Sequence, residues 1–405
     1  MGGLTSLQTL SKVIIEKGSG FKVSDLKDMS NLQGDLIIDG LDEVTDPQQA
    51  MDANLMGKKG LVSLEMYWTY SFDDSRNSIL EYEVPSSFEK LTQLTIEDCP
   101  NLVELSIGLI STLEYLFIYN CKKLVSIGEN VGSSNRKSVL REVRFSGCDS
   151  LESYICANTV EKLWIEDCDT MTSVSMSTTF KELPLSLRSL EVDYCKNLKS
   201  LFHEQLQSLT SLEKMMIISC ENMNDSFPSG LWPPNLRKLI IGELKKPMSE
   251  WGLQNCPTSL VELSLHGDDS GITSFATEGD ATNTASTSFL LPPSLTSLYI
   301  WNFNDVESIS EVVKHLTHLQ ELDIWKCPNI KDVPQSNSSL TVNVCVLSKT
   351  NSQLDPNSTD GALTFILLDA LFVTMELKLS NTYLYCANSP WKYGKESVNG
   401  GTLIA

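Results

Sequence analysis

Histidine is scarce in this chain, four in 405 residues, and basic residues are outnumbered, with 31 Lys and Arg against 52 Asp and Glu. The net charge of −21 would repel polyphosphates and anionic membrane surfaces, so neither nucleic acid nor membrane is an expected partner. No apolar run reaches the ~20 residues of a membrane helix. Ala362 to Val373 comes nearest, and Asp369 interrupts it. Residues 1–20 lack the basic start and apolar stretch of a secretory leader. A reducing, cytoplasmic setting is therefore expected, in which the eleven cysteines stay as thiols.

Motifs that carry chemistry are missing as well. There is no G-x-x-x-x-G-K-[ST] loop to cradle phosphates, and Gly18-Ser19-Gly20 reads as a turn. No C-x-x-C pair offers a zinc site. His315 and His318 are not set in an H-E-x-x-H pattern and read as solvated surface. No G-x-S-x-G occurs, and no Cys stands near a His in sequence. No catalytic residue, cofactor or metal ligand set is expected, and the chain does not read as an enzyme.

What the chain does have is a frame. Leu91, Leu94, Ile96, Cys99 and Leu102 form L-x-x-L-x-I-x-x-C-x-x-L, and the pattern returns at Leu113, Leu140, Val160, Leu187, Leu212 and Leu319. Weaker copies start at Leu236, Leu260 and Leu295. The starts are separated by 22, 27, 20, 27, 25, 24, 24, 35 and 24 residues, nearly all within the roughly 20–29 residue period of leucine-rich repeats. In x-L-x-I-x one face of a short strand is apolar and the other wet. One unit cannot close a core, but stacked units lend each other their apolar faces. The expected fold is an α/β repeat solenoid: a leucine-rich-repeat horseshoe with a parallel concave sheet and a convex side that is mostly irregular or short-helical. Seven cysteines, at 99, 121, 148, 168, 195, 220 and 327, occupy the frame and read as small buried thiols.

Taken in order, residues 1–87 read as irregular leucine-rich repeats with one helix and a loop. Strands are expected at Val13 to Ile15 and near Asn31 to Ile38. Asp46-Pro47 reads as a helix start, with the helix running from Gln48 to about Lys59 and Gly60 ending it. Tyr67 to Val84 reads as a loop. Residues 88–336 are the regular array, with short helices expected at Glu204 to Leu209 and Ser308 to Leu316, and a mobile loop at Asp268 to Ser288. Residues 337–405 read as a divergent, poorly ordered tail in which Leu340, Val342, Val344 and Val346 could form one last strand.

The wet positions of the strands carry the candidate binding residues. Phe117 and Tyr119, Trp164 and Glu166, Glu191 and Asp193, Tyr299 and Trp301, and Asp323 with Trp325 point to the concave surface. Large aromatics on a wet sheet mark a contact surface for a protein partner, unless they pack on one another across strands. The acids Glu166, Glu191 and Asp193 favour a basic partner.

Three stretches resemble one family. Gly3 to Ile15 is similar to the first repeats after the nucleotide-binding module in plant intracellular immune receptors of the coiled-coil, nucleotide-binding, leucine-rich-repeat type. Leu32 to Val44, Asp52 to Leu55, Lys58-Lys59 and Leu61 to Trp68 are similar to their next segment. The Cys-bearing frame, with units ending in Pro-Asn-Leu or Lys-Asn-Leu, resembles their C-terminal array. The resemblance covers about residues 1–335 and implies a disease-resistance role: sensing of a pathogen effector or of a host protein under surveillance, and restraint of a nucleotide-binding module. The coiled-coil and nucleotide-binding modules have no counterpart here, so no ADP or ATP site carries over. The chain therefore reads as a truncated receptor or a gene-model fragment. Two other classes stay open: a substrate adaptor of a ubiquitin ligase, and a secreted receptor ectodomain.

Overall fold

The computed structural model describes residues 4–345, apart from 17, 19, 45, 69–87, 108–109, 129–138, 177–185, 203–205, 224–226, 228–229, 268–274, 278–287 and 290. One sheet of fourteen strands runs through them in chain order, every neighbouring pair parallel. Its strands are Lys12–Ile14, Gln33–Asp39, Gly60–Tyr67, Gln93–Glu97, Tyr115–Tyr119, Glu142–Ser146, Lys162–Glu166, Ser189–Asp193, Lys214–Ile218, Lys238–Gly242, Glu262–His266, Ser297–Trp301, Glu321–Trp325 and Thr341–Cys345. The fold is an α/β repeat solenoid of leucine-rich repeats. The last strand, Thr341–Cys345, is the one that Leu340, Val342 and Val344 suggested.

Register derives from the frame. Leu94 pairs with Leu116, Leu116 with Val143, and Val143 with Leu163, while Ile96, Ile118, Phe145 and Ile165 make the parallel row two residues on. A slip of one residue would turn each row to water. These side chains are at most 2 % exposed. Fully burying one such residue is worth roughly 1.5–3 kcal/mol, and it is the next repeat that supplies the burial.

The frame cysteines answer a local need. The chain must turn sharply at each strand end to drop beneath the sheet, and it does so through a residue with positive φ. Asp98, Asn120, Gly147, Asp167, Tyr194, Ser219, Glu243, Asn302 and Lys326 all lie there, at φ between 49° and 63°. Gly, Asn and Asp tolerate that region, whereas Tyr, Glu and Lys occupy it at a cost. Two residues after the strand end the thiol turns inward and donates to the strand-end carbonyl. Cys121 Sγ reaches the Tyr119 oxygen at 3.5 Å, Cys168 that of Glu166 at 3.3 Å, Cys195 that of Asp193 at 3.4 Å and Cys220 that of Ile218 at 3.3 Å. The positive-φ residue in turn donates its N–H to the strand-end carbonyl of the next repeat, as from Asp98 to Tyr119 at 2.9 Å and from Asn120 to Ser146 at 2.7 Å.

The far side of the solenoid is built from 3₁₀ turns and short parallel strands, including Ser153–Cys156, Ser173–Met176 and Ser200–Leu201 side by side. Side-chain amides link successive turns there: Asn197 donates to the Asp169 carbonyl at 2.7 Å, and Asn329 to that of Asn304 at 2.7 Å.

Several expected elements differ. The helix after Asp46 is capped as its sequence indicates, with Asp46 Oδ1 accepting from the Gln48 N–H at 2.9 Å, but it spans only Pro47–Asp52. Asn54 at φ 46° breaks it and opens a 3₁₀ turn, Leu55–Gly57. The strand then begins at Gly60 itself and carries Tyr67, the first residue of the expected loop; residues 69–87, most of that stretch, lie outside the described residues. The helix expected from Glu204 is a 3₁₀ turn at Leu206–Ser208 within the described residues, and that near Ser308 shortens to Ser310–His315. Inside 268–288, Phe275 is buried and Ala276–Thr277 pairs antiparallel with Ser288–Phe289. The remainder of that stretch, and residues 346–405, lie outside the described residues.

Two measurements check this packing. Leu116 is fully buried between Leu94 and Val143, so Leu116→Ala should cost roughly 2–5 kcal/mol in urea melts; a loss below about 0.5 kcal/mol would break the frame assignment. Eight of the ten described thiols are buried, Cys256 and Cys345 being the half-buried pair. Burial pushes the Cys99 thiol up to about 11 and that of Cys121 well above its ordinary value. Burial pushes Cys256 up to about 12 as well, so a thiol reagent should label the folded array first at Cys345 while the frame cysteines wait for unfolding; fast labelling of Cys168 or Cys195 in the native protein would contradict the buried column.

Candidate functional site

Three residues of each central strand face away from the core, and parallel register lines them up as three columns. The middle column runs Phe117, Arg144, Trp164, Glu191, Met216, Ile240, Ser264, Tyr299, Asp323. The strand-end column runs Glu97, Tyr119, Ser146, Glu166, Asp193, Ile218 and then, from Gly242 onward, His266, Trp301, Trp325. Every residue expected to face the concave surface stands in one of these two columns.

The first aromatic group is tied together by an arginine. Arg144 lies between two rings, its guanidinium carbon 5.3 Å from the centre of Phe117 and 5.8 Å from that of Trp164. Its Nε donates to Glu142 Oε1 at 2.7 Å. Tyr119 meets Trp164 edge-on, with ring centres 6.5 Å apart. Arg144 was not singled out in the sequence, although it occupies the same frame position as Phe117 and Trp164.

The second group is a stack. His266 lies parallel to Trp301 with ring centres 5.7 Å apart, and Trp301 stacks on Trp325 at 5.6 Å. Burial lowers the His266 pKa to about 4, so the imidazole is neutral at pH 7. Tyr299 donates its hydroxyl to Glu321 Oε2 at 2.9 Å, and Asn343 donates to Asp323 Oδ1 at 2.7 Å. Trp301 is half-buried, whereas Tyr299 and Trp325 are 8 % and 6 % exposed. Between the two groups Met216, Ile218 and Ile240 form an apolar cluster separate from the main core. Sequence reasoning passed over it because Met216-Ile217-Ile218 and Leu239-Ile240-Ile241 lose the alternation that marks a wet face.

Glu97, Glu166 and Asp193 share the strand-end column, and Asp98, Asp167 and Glu243 come next, in the positive-φ turns. Burial raises Glu97 and Glu166 above the usual carboxylate range. Asp193 is pushed up to about 7, by burial first and then by Glu166, with Glu243 and Asp167 adding to it. Its Oδ1 is closed to solvent and has no hydrogen-bond partner among the described residues. Among the described residues no group of three or more His, Cys, Asp or Glu side chains is arranged to hold a metal ion.

Comparison with known proteins bears on what such a face serves. Residues 69–221 match a family model of leucine-rich repeats described as plant disease resistance protein RPS2-like, and residues 23–85 match the R13L1/DRL21 leucine-rich repeats. Over those residues the repeats are similar to those of plant disease-resistance proteins. Disease resistance protein RGA2 of Solanum bulbocastanum is 26 % identical over 347 residues, which are 84 % of this chain and 27 % of that protein. A putative disease resistance protein of Arabidopsis thaliana is 27 % identical over 214 residues, 41 % of this chain and 15 % of that protein. The chain thus spans about a quarter or less of the length of these relatives. Among solved structures, the leucine-rich repeat domain of the type III effector XopL matches at a TM-score of 0.37 and 19 % identity, over 59 % of this chain and 71 % of that one.

Within the array Asp193 provides a pH test. An unfolded Asp titrates near 3.9, and the folded carboxyl keeps its proton to about 7. The folded state binds the extra proton between those values, so stability falls as pH rises from about 4 to about 7. Asp193→Asn should therefore be more stable than the parent at pH 8, by something on the order of 1 kcal/mol, with the gap narrowing toward pH 5. Urea melts at both pH values decide it; a variant weakened equally at pH 5 and 8 would mean that Asp193 is ionised and satisfied.

Proposed function

We propose that this chain is the recognition portion of a plant disease-resistance protein, a scaffold rather than an enzyme. Its open sheet face binds a protein, either a pathogen effector or a host protein under surveillance, and in the intact receptor the array restrains a nucleotide-binding module. The observation that carries this reading is the make-up of the open face. Trp, Tyr and Arg, the residue types that dominate binding energy at protein interfaces, are grouped there on a rigid sheet and edged by carboxylates. The repeats match those of disease-resistance proteins over residues 23–221, which supports the defence role. Among the described residues no helix is long and apolar enough to cross a membrane, and a cytoplasmic setting is the one in which ten free thiols persist.

Two tryptophans retain accessible surface and separate recognition from packing. Trp164 and Trp301 stand in different groups, whereas Ile155 is 59 % exposed on the opposite side of the solenoid. With a partner isolated by pull-down, Trp164→Ala or Trp301→Ala should weaken binding by about 2 kcal/mol or more and leave the urea midpoint close to the parent's. Ile155→Ala should change neither. Equal losses from all three, or losses seen only where the array also unfolds, would reduce these aromatics to packing.

A further inference from the structure

The two edges of the open face treat their charges differently. Along the strand-start column the charges lie in pairs, Lys214 of that column reaching across to Glu191 of the middle one. Glu142 takes both Arg144 and Lys162, the latter at 3.3 Å; Glu191 takes Lys214 at 2.9 Å; and Glu262 takes Lys238. Along the strand-end column and the turns beyond it, Glu97, Asp98, Glu166, Asp167, Asp193 and Glu243 make no ion pair among the described residues. Neutral donors serve some of them: Asn120 donates to Asp98 at 3.0 Å, Ser146 to Glu166 at 3.3 Å, and Ser219 to Glu243. Asp193 Oδ1 lacks even that. The arrangement leaves six acids in one line with no salt bridge among the described residues; Lys122 eases Asp98 alone, and Asp193 carries its charge only above about pH 7.

The line also has a wall. Tyr119 belongs to the same column and meets Trp164 of the middle column, while Tyr194, 41 % exposed, directly follows Asp193. Carboxylates beside ring faces suit a guanidinium or ammonium group, which gains from both. Strands lie about 4.8 Å apart, so the line from Glu97 to Glu243 crosses six steps, about 29 Å. That is the reach of roughly nine residues of extended chain.

We propose that this strand-end ridge is the docking line for a basic, extended protein segment whose Arg or Lys side chains seat at Glu166 and Asp193, against the wall of Tyr119, Trp164 and Tyr194. The inference rests on the reading of the open face as a protein-recognition surface and names the chemistry of its partner. Net acidity alone would attract a basic chain anywhere on the molecule; Lys162, Lys214 and Lys238 on the opposite edge disfavour it there and leave this line. Binding is driven by half-buried carboxylates at the edge of the face and weakens with salt.

The test uses the whole chain and a fluorescein-labelled nine-residue peptide of alternating Arg and Ala, read by anisotropy at about 50 and 200 mM NaCl, at a pH above the Asp193 titration near 7. The double variant Glu166→Gln/Asp193→Asn should bind it at least tenfold more weakly than the parent. Glu104→Gln/Glu152→Gln, the same change in net charge at exposed positions off the fourteen-stranded sheet, should bind within twofold. Equal losses from the two doubles, or a parent that binds the peptide no better than its Glu-Ala counterpart, would overturn the ridge. Pull-down of a natural partner by the Trp164→Ala and Trp301→Ala variants is scored separately. A partner that needs the tryptophans and ignores the ridge leaves the recognition face standing without this docking line.

Discussion

Every repeat depends on its neighbour's Leu-x-Ile pair lying in register with its own. The two rows, Leu94 to Leu322 and Ile96 to Ile324, are continuous apolar columns, and no single strand closes either of them. Main-chain pairing fixes the spacing and hydrophobic burial fixes the facing, so a misplaced strand loses both at once. The effect on the open side is geometric: once the inward rows are locked, the outward residues must form columns too. The recognition surface is thus a by-product of core register. Arg144 sits between Phe117 and Trp164 because Val143 and Phe145 on either side of it are committed to the core.

The sequence displayed the periodic part of this openly. Ten frame copies announced the strands, and the alternation around Leu116 and Ile118 said which side chains would be buried. The length of the helix after Asp46 was not legible, because Asn54 at positive φ ends it and a helix-friendly composition continues past that point. The positive-φ turns were equally hidden. Their residues range from Gly147 to Tyr194, so no residue type marks the position; the constraint comes from the path the chain must take beneath the sheet.

On the face itself, identity was legible and partnership was not. Trp301 and Trp325 could be placed on the outward side from their frame positions, but the stacking of Trp301 on His266 depends on the 35-residue gap that makes Leu260 and Leu295 neighbours in space. The stretch Met216 to Ile218 misled in the opposite sense: three apolar residues in a row conceal which ones face outward, and only pairing with Lys238 to Ile241 resolves it. The charge asymmetry between the two edges likewise depends on which Lys meets which Glu across strands, information that one-dimensional spacing does not hold.

The longest gap in the array has a consequence for how such a surface diversifies. Between Leu260 and Leu295, Phe275 packs edge-on against Phe303 at 5.4 Å, and Ala276–Thr277 pairs with Ser288–Phe289. The sheet strands on either side, Glu262–His266 and Ser297–Trp301, still pair residue for residue. Added length is absorbed outside the sheet and leaves no trace in the columns. Insertions and column substitutions are therefore mechanically independent variables: a lineage can lengthen the periphery without retuning the face, or rewrite the face one outward position at a time while the scaffold beneath it stays fixed.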